Sequence, residues 1–167
     1  IDAYEQSFLA YVDVTKTRGS DENTGLEGAM RTAIKNVEAK ISGVAGLKQL
    51  DITLLQIRRN EKDYLNRSDQ TYVDEVHKLV PQLKTQIAAT DQLTPAVKTE
   101  LRTEADAYLK AFDAIVAVDK ELVTHDTELA AVALTLQSSI VKIEKLGETL
   151  AADDEKTANT NSTQTFT

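Results

Sequence analysis

The chain of 167 residues contains no cysteine and no tryptophan, and few prolines and glycines. Without thiols it cannot form disulfides, use a cysteine nucleophile or hold a metal on cysteine. Two prolines and six glycines are few for a protein built from short strands and turns. No apolar run approaches the roughly 18 residues of a membrane-spanning helix. Together these deficits favour an all-helical domain.

Basic residues are also in the minority, with 19 Lys and Arg against 27 Asp and Glu, for a net charge of −8. Binding to nucleic acid needs a basic face that displaces counterions, and binding to an anionic membrane surface needs one too. Neither partner is therefore expected. The chain begins with Ile1 instead of Met, so we expect it to be a segment of a longer protein.

The residues that are abundant favour helix, because Ala, Leu, Glu, Lys and Gln lose little on entering one. Apolar residues recur at alternating steps of three and four, which predicts four long helices. We place the first over 2–42 with an interruption at 19–25, and the second over 47–89 with a bend at Pro81. The third begins at Pro95, a turn falls at 124–126, and the fourth follows.

This spacing predicts an all-α fold, an elongated up-down-up-down four-helix bundle whose first and second helices are kinked or split. We assign residues 1–152 to the bundle and 153–167 to the polar end of the last helix. The seam of the third helix is interrupted only by Asp119, which we expect to pair with an inward-facing arginine. The predicted seam of the fourth helix consists of Leu129, Ala133, Leu136, Ile140, Ile143, Gly147 and Leu150.

A basic segment at 58–67, RRNEKDYLNR, interrupts the seam of the second helix. It resembles the pattern RRxEKD(F/Y)xxR of periplasmic sensor domains in bacterial methyl-accepting chemotaxis receptors, closest to the helical bimodular type. Upstream, the segment 21–31, DENTGLEGAMR, resembles the DExxGLxGxxR pattern that precedes it in the same group. Lys35 departs from the histidine favoured there, and bimodular domains are usually longer. The two motifs cover about an eighth of the chain.

The resemblance implies a periplasmic ligand-binding domain of an inner-membrane receptor, attached to the membrane through flanking segments outside this chain. It also implies a homodimer formed through the first helix and a small ligand, often a carboxylic acid. Helical phasing places Arg31 and Arg58 on facing flanks of the first two helices, and it points Glu61 and Tyr64 into the bundle. Two guanidinium groups suit a carboxylate because each can donate two parallel hydrogen bonds. The candidate ligand-binding residues are Arg31, Arg58, Tyr64 and Arg67.

Other kinds of site find little support in the sequence. His77 and His125 lack a second ligand at metal spacing, so we expect no metal site and no cofactor. No nucleophile has a recognisable base, and we expect no enzyme. Two alternatives remain open: the sensor domain of a histidine kinase or cyclase, and a structural or protein-interaction bundle in which the basic segment forms only ion pairs.

Overall fold

The computed structural model describes residues 2–164, and the side chains of residues 2–158. This part of the chain consists of helices joined by loops and contains no strand, as the composition predicted. The described residues form five α-helices, which are α1 (Asp2–Arg18), α2 (Gly25–Ile41), α3 (Lys48–Arg67), α4 (Gln70–Ala89) and α5 (Pro95–Gln164). The elements are therefore helices, as predicted. Two predicted boundaries differ from the structure, one within the second helix and one between the third and fourth helices.

The predicted interruption at 19–25 is confirmed, and glycines are the reason for it. Gly19 and Gly25 have φ angles of 125° and 58°, which residues with a side chain rarely adopt. Gly28 follows within α2, where a Cβ would lie 2.4 Å from the backbone carbonyl of Asn23. The first motif therefore turns the chain tightly against its own backbone between α1 and α2.

The second predicted helix is split, as predicted, but the break lies at residues 68–69 and the predicted bend at Pro81 does not divide it. α3 ends at Ser68, which has a left-handed φ of 52°, and the carboxylate of Asp69 caps α4 by accepting from the Thr71 amide at 2.9 Å. α4 packs back against α3, so the segment is a helical hairpin. Pro81 lies inside α4 without ending it.

The predicted turn at 124–126 is also wrong, because α5 runs through it without a break. The segment contains no glycine or proline, and isolated Thr, His and Asp cost a helix only a few tenths of a kcal/mol each. The polar end of the chain continues this helix to Gln164, and residues 165–167 of the predicted tail lie outside the described part.

Residues 11–123 form one compact unit that contains the hydrophobic core. α4 joins α5 through His77–Asp113 and Lys84–Asp106, in an order that requires the two helices to be antiparallel. α2 is also antiparallel to α5, because the Asn36 amide donates to Glu104 and Lys40 pairs with Glu100. The part of α5 in this unit buries Leu101, Ala105, Tyr108, Phe112 and Ile115.

A second unit contains the residues on either side of the first. Here the predicted seam of the fourth helix is not buried, since Ile140, Ile143 and Leu150 are exposed. In the part of the chain that the structure describes, no helix combines the length and apolar character needed to cross a membrane.

Candidate functional site

Arg31 of α2 and Arg58 of α3 line the same cavity, of about 150 Å³. Its other lining residues are Glu22, Glu27, Met30, Glu61, Lys62 and Leu65. The cavity thus lies where the two motif segments meet, and three basic side chains face three carboxylates around it. The two arginines that helical phasing placed on facing flanks are brought together.

Both arginines already have carboxylate partners. Arg31 pairs with Glu22 in the loop before α2, and Arg58 pairs with Glu61 and, at 3.6 Å from its Nε, with Glu38. The Nε of Arg31 is buried, however, and finds no hydrogen-bond acceptor among the described residues. One strong donor at the cavity is therefore unsatisfied.

Glu61 supplies a buried carboxylate at the same cavity. Its side chain is only 4% exposed, and it pairs with Arg58. Burial raises the pKa of this carboxyl, against the opposing charge of Arg58. Behind it, the hydroxyl of the fully buried Tyr108 hydrogen-bonds to this carboxyl; burial, the charge of Glu61 and this hydrogen bond raise the pKa of the hydroxyl.

Tyr64 faces the core, as its phasing predicted, but does not line the cavity. Its ring meets Phe112 edge-on at 5.4 Å, and its hydroxyl donates to Asp119 at 3.1 Å. Burial and the charge of Asp119 raise the pKa of Tyr64. The role of Tyr64 in this structure is to join α3 to α5.

Asp119 also accepts from the Nε of Arg18 at 2.6 Å, which confirms its predicted pairing with an arginine. Arg18 extends a second bond of 2.9 Å to Glu27. Burial opposes the charge on Arg18, but Asp119 and Glu27 outweigh it and raise the arginine pKa. This polar cluster of Arg18, Glu27, Tyr64 and Asp119 connects α1, α2, α3 and α5.

Arg67 lies apart from Arg31, in a groove between α3 and α4. Its guanidinium donates to the Tyr72 hydroxyl at 2.7 Å and lies 5.8 Å from the centre of that ring. The groove, of about 740 Å³, is lined by Arg58, Arg59, Lys62 and Arg67 with the carboxylates of Asp63 and Glu75, besides uncharged residues. The four candidate residues therefore divide among a cavity, the core and an open groove.

The three acidic residues of the cavity, Glu22, Glu27 and Glu61, were not among the sequence candidates. The inward position of Glu61 followed from the seam, whereas Glu22 lies in a loop, which has no periodicity to indicate a direction. Among the described residues, no group of three or more acids and histidines is arranged to hold a metal ion. His77 instead meets Asp113 at 2.6 Å, and His125 meets Glu128 at 3.3 Å.

In comparisons with known proteins, no family model matches this sequence, and neither a curated protein nor a solved structure shows significant similarity to it.

Proposed function

We propose that the chain is the extracytoplasmic ligand-binding domain of a transmembrane chemoreceptor that senses a small carboxylic acid. The resemblance of two segments to receptor motifs suggests the class of protein. The observation that carries the proposal is that Arg31 and Arg58, one from each segment, line a single cavity. A carboxylate there would accept from the guanidinium groups of Arg31 and Arg58.

We infer that α2, α3, α4 and the first part of α5 form an up-down-up-down four-helix bundle. The antiparallel pairing of α2 with α5 and of α4 with α5, and the hairpin of α3 and α4, support this arrangement. Ligand between α2 and α3 would favour one relative position of these helices. A shift of α5 would then carry the signal, provided the two positions bind ligand with different affinity.

The proposed receptor is a homodimer in the periplasm, joined to the inner membrane by flanking segments. Support for the dimer comes from the exposed apolar residues Tyr4, Phe8 and Leu9 on α1, the first part of the helix through which the resemblance implies dimerisation. On α5, Leu146, Ile140, Ile143 and Leu150 are exposed as well, and the last three repeat at steps of three and seven. Such a repeat is typical of a helix that packs against a partner helix in a coiled coil. Sedimentation equilibrium should show a dimer that Ile143→Asp dissociates, whereas a monomer at high concentration contradicts this part of the proposal.

The direct test is a thermal-shift screen of small organic acids followed by titration. A binding acid should raise the melting temperature of the chain, and Arg31→Lys should weaken its binding, because lysine keeps the charge but loses the guanidinium fork. Arg59→Ala is the matched control, since Arg59 is largely exposed and does not line the cavity. Circular dichroism checks that each variant folds. If no acid binds, or if both variants weaken binding equally, the proposed site is wrong.

A second candidate is a structural or protein-interaction bundle without a small ligand. It is favoured by the partners that Arg31, Arg58 and Arg67 already have, Glu22, Glu61 and Tyr72 respectively. Under this alternative the arginines only join neighbouring helices. The screen would then give no binding acid, while Arg31→Lys and Arg58→Lys would lower stability.

A further inference from the structure

The groove between α3 and α4 concentrates positive charge in a chain whose net charge is −8. Its basic residues are Arg58, Arg59, Lys62 and Arg67, and its acidic residues are Asp63 and Glu75. Four positive charges against two negative ones leave an excess of two. Such an excess on an otherwise acidic protein attracts anions to this place.

Three of these cations are only weakly neutralised by the protein itself. Arg67 donates to the neutral hydroxyl of Tyr72 at 2.7 Å, and Lys62 has no carboxylate partner among the residues whose side chains the structure describes. The side chain of Arg59 is 84% exposed and its Nε lies 3.8 Å from Asp63, so the two form a weak ion pair in water. A bound anion would therefore gain these cations without displacing a strong ion pair.

An exposed apolar side chain lies beside these cations. Leu55 is 67% exposed, which makes it the most exposed large apolar residue of the unit 11–123. It lines the groove together with Leu79 of α4. A small inorganic anion would leave this apolar surface in water, whereas an organic anion would cover it.

Charge and distance together restrict the kind of anion. A phosphate ester carries a charge of about −1.5 to −2 and three acceptor oxygens, which matches the excess of two, whereas a monocarboxylate carries a single charge. Leu55 precedes Lys62 by seven positions in α3, which places their backbones about 10 Å apart along the helix axis at ~1.5 Å per residue. The phosphate and the apolar group must be separated by a similar distance, as they are in a nucleotide. The groove, of about 740 Å³, has the size of a small-molecule site, roughly 300–1,000 Å³.

We infer that the groove between α3 and α4 is a binding site for an organic phosphate of the length of a nucleotide. Lys62 and Arg67 bind its phosphate groups, and its apolar end covers Leu55 and Leu79. The guanidinium of Arg67 suits phosphate because it can donate two parallel hydrogen bonds. The inference goes beyond the proposed function, because the groove is a different space from the cavity of Arg31 and shares two lining residues with it.

Isothermal titration of the 167-residue chain tests the inference, in metal-free buffer at about 0.15 M salt, which screens non-specific attraction. The probes are ADP and UDP, with pyrophosphate and adenosine as the two halves of ADP. At least one nucleotide should bind, about tenfold or more tightly than pyrophosphate and adenosine.

Variants at exposed positions test the two ends of the groove. Arg67→Gln should weaken nucleotide binding about tenfold or more, as expected for the loss of a charge-assisted hydrogen bond. Leu55→Ser should weaken it roughly fivefold, because the ligand then covers less apolar surface. Lys48→Gln is the matched control, since it removes one positive charge from an exposed position of the same helix outside the groove.

Several outcomes would overturn the inference. It is wrong if neither nucleotide binds, or if Leu55→Ser leaves nucleotide binding unchanged. It is also wrong if pyrophosphate binds as tightly as the nucleotides, or if Arg67→Gln and Lys48→Gln weaken binding equally, because the groove then only attracts anions in general. The proposed function fails separately: a nucleotide that binds when no carboxylic acid does contradicts the carboxylic-acid sensor alone, and the reverse result contradicts the groove site alone.

Discussion

Replacing Asp119 with alanine should destabilise the fold more than any other single loss of a surface-accessible carboxylate. Asp119 is the shared acceptor of Arg18, at 2.6 Å, and of the Tyr64 hydroxyl, at 3.1 Å. Its side chain is 15% exposed, so water replaces these bonds poorly. The variant leaves a buried hydroxyl and part of a guanidinium without acceptors.

The expected loss of stability follows from the two hydrogen bonds that Asp119 accepts. A hydrogen bond between charged groups contributes about 1.5–3 kcal/mol, and a bond from a neutral hydroxyl to a carboxylate contributes at least ~1 kcal/mol. Arg18 keeps its bond to Glu27, which places the expected loss near the middle of the sum. We expect the free energy of unfolding to fall by about 3 kcal/mol, which lowers the melting temperature by roughly 6–12 °C in a chain of this size.

Urea unfolding followed by circular dichroism measures this loss, with Asp113→Ala as the matched control. Asp113 lies on the same helix and pairs with His77, but both side chains are about half exposed. That exposed pair should contribute no more than about 1 kcal/mol, and the gain in helix propensity on replacing Asp is common to both variants. Equal losses in the two variants would show that the polar cluster around Asp119 does not stabilise the fold.

Tyr64→Phe separates the two bonds within this cluster. It removes the hydroxyl and keeps the ring that meets Phe112, so it should cost about 1 kcal/mol alone. Combined with Asp119→Ala it should cost less than the sum, by an interaction energy of about 1 kcal/mol. Strict additivity would mean that the hydroxyl does not depend on Asp119.

Three further predictions concern the turns and the buried carboxyl. Gly28→Ala should lower the free energy of unfolding by more than about 2 kcal/mol in urea, because the new Cβ meets the Asn23 backbone at 2.4 Å. Gly147→Ala is the control: the new Cβ has open space in α5, so the free energy of unfolding should rise by about 0.5–1 kcal/mol. Ser68→Gly should stabilise by about 1 kcal/mol, since glycine adopts the φ of 52° without strain; an unchanged midpoint would contradict this. Glu61→Gln should stabilise the chain more at pH 8 than at pH 4.

The sign of the last prediction comes from the direction of the pKa shift. Burial raises the pKa of Glu61 in the folded chain above its ordinary value of 4.5, so the folded state holds the proton more tightly than the unfolded state. The stability that this provides is complete below pH 4.5 and is lost as the pH rises through the raised pKa. Glutamine stays neutral and does not incur this loss. The measurement is the melting temperature of the original chain and of Glu61→Gln across pH 4–8. A difference between the two that stays constant over this range would contradict the prediction.

The helical class and the first interruption could be predicted because composition and glycines act locally. Gly19 and Gly25 adopt backbone angles that other residues avoid, so their presence marks the turn directly. The break at Ser68 and Asp69 could not be predicted in the same way, because neither residue forbids helix. What decides it is the packing of α4 back onto α3, a contact between segments that no local pattern encodes.

The site was predictable to a similar extent. Phasing within each helix placed Arg31 and Arg58 on flanks that meet, and it placed Tyr64 inward. It could not identify Asp119 as the acceptor of Tyr64, since 55 positions separate them and α3 and α5 are not consecutive. Arg67 was assigned to the ligand because it lies in the motif, but its position near the hairpin turn directs it to Tyr72.

The first motif, residues 21–31, contains two kinds of residue with different roles. Gly25 and Gly28 are required by the close approach of backbone, and they touch no part of the cavity. Glu22, Glu27 and Arg31 line the cavity, and Glu27 also pairs with Arg18. A sequence that shares the glycine spacing therefore inherits the turn and not the ligand, which depends on the side chains that line the cavity.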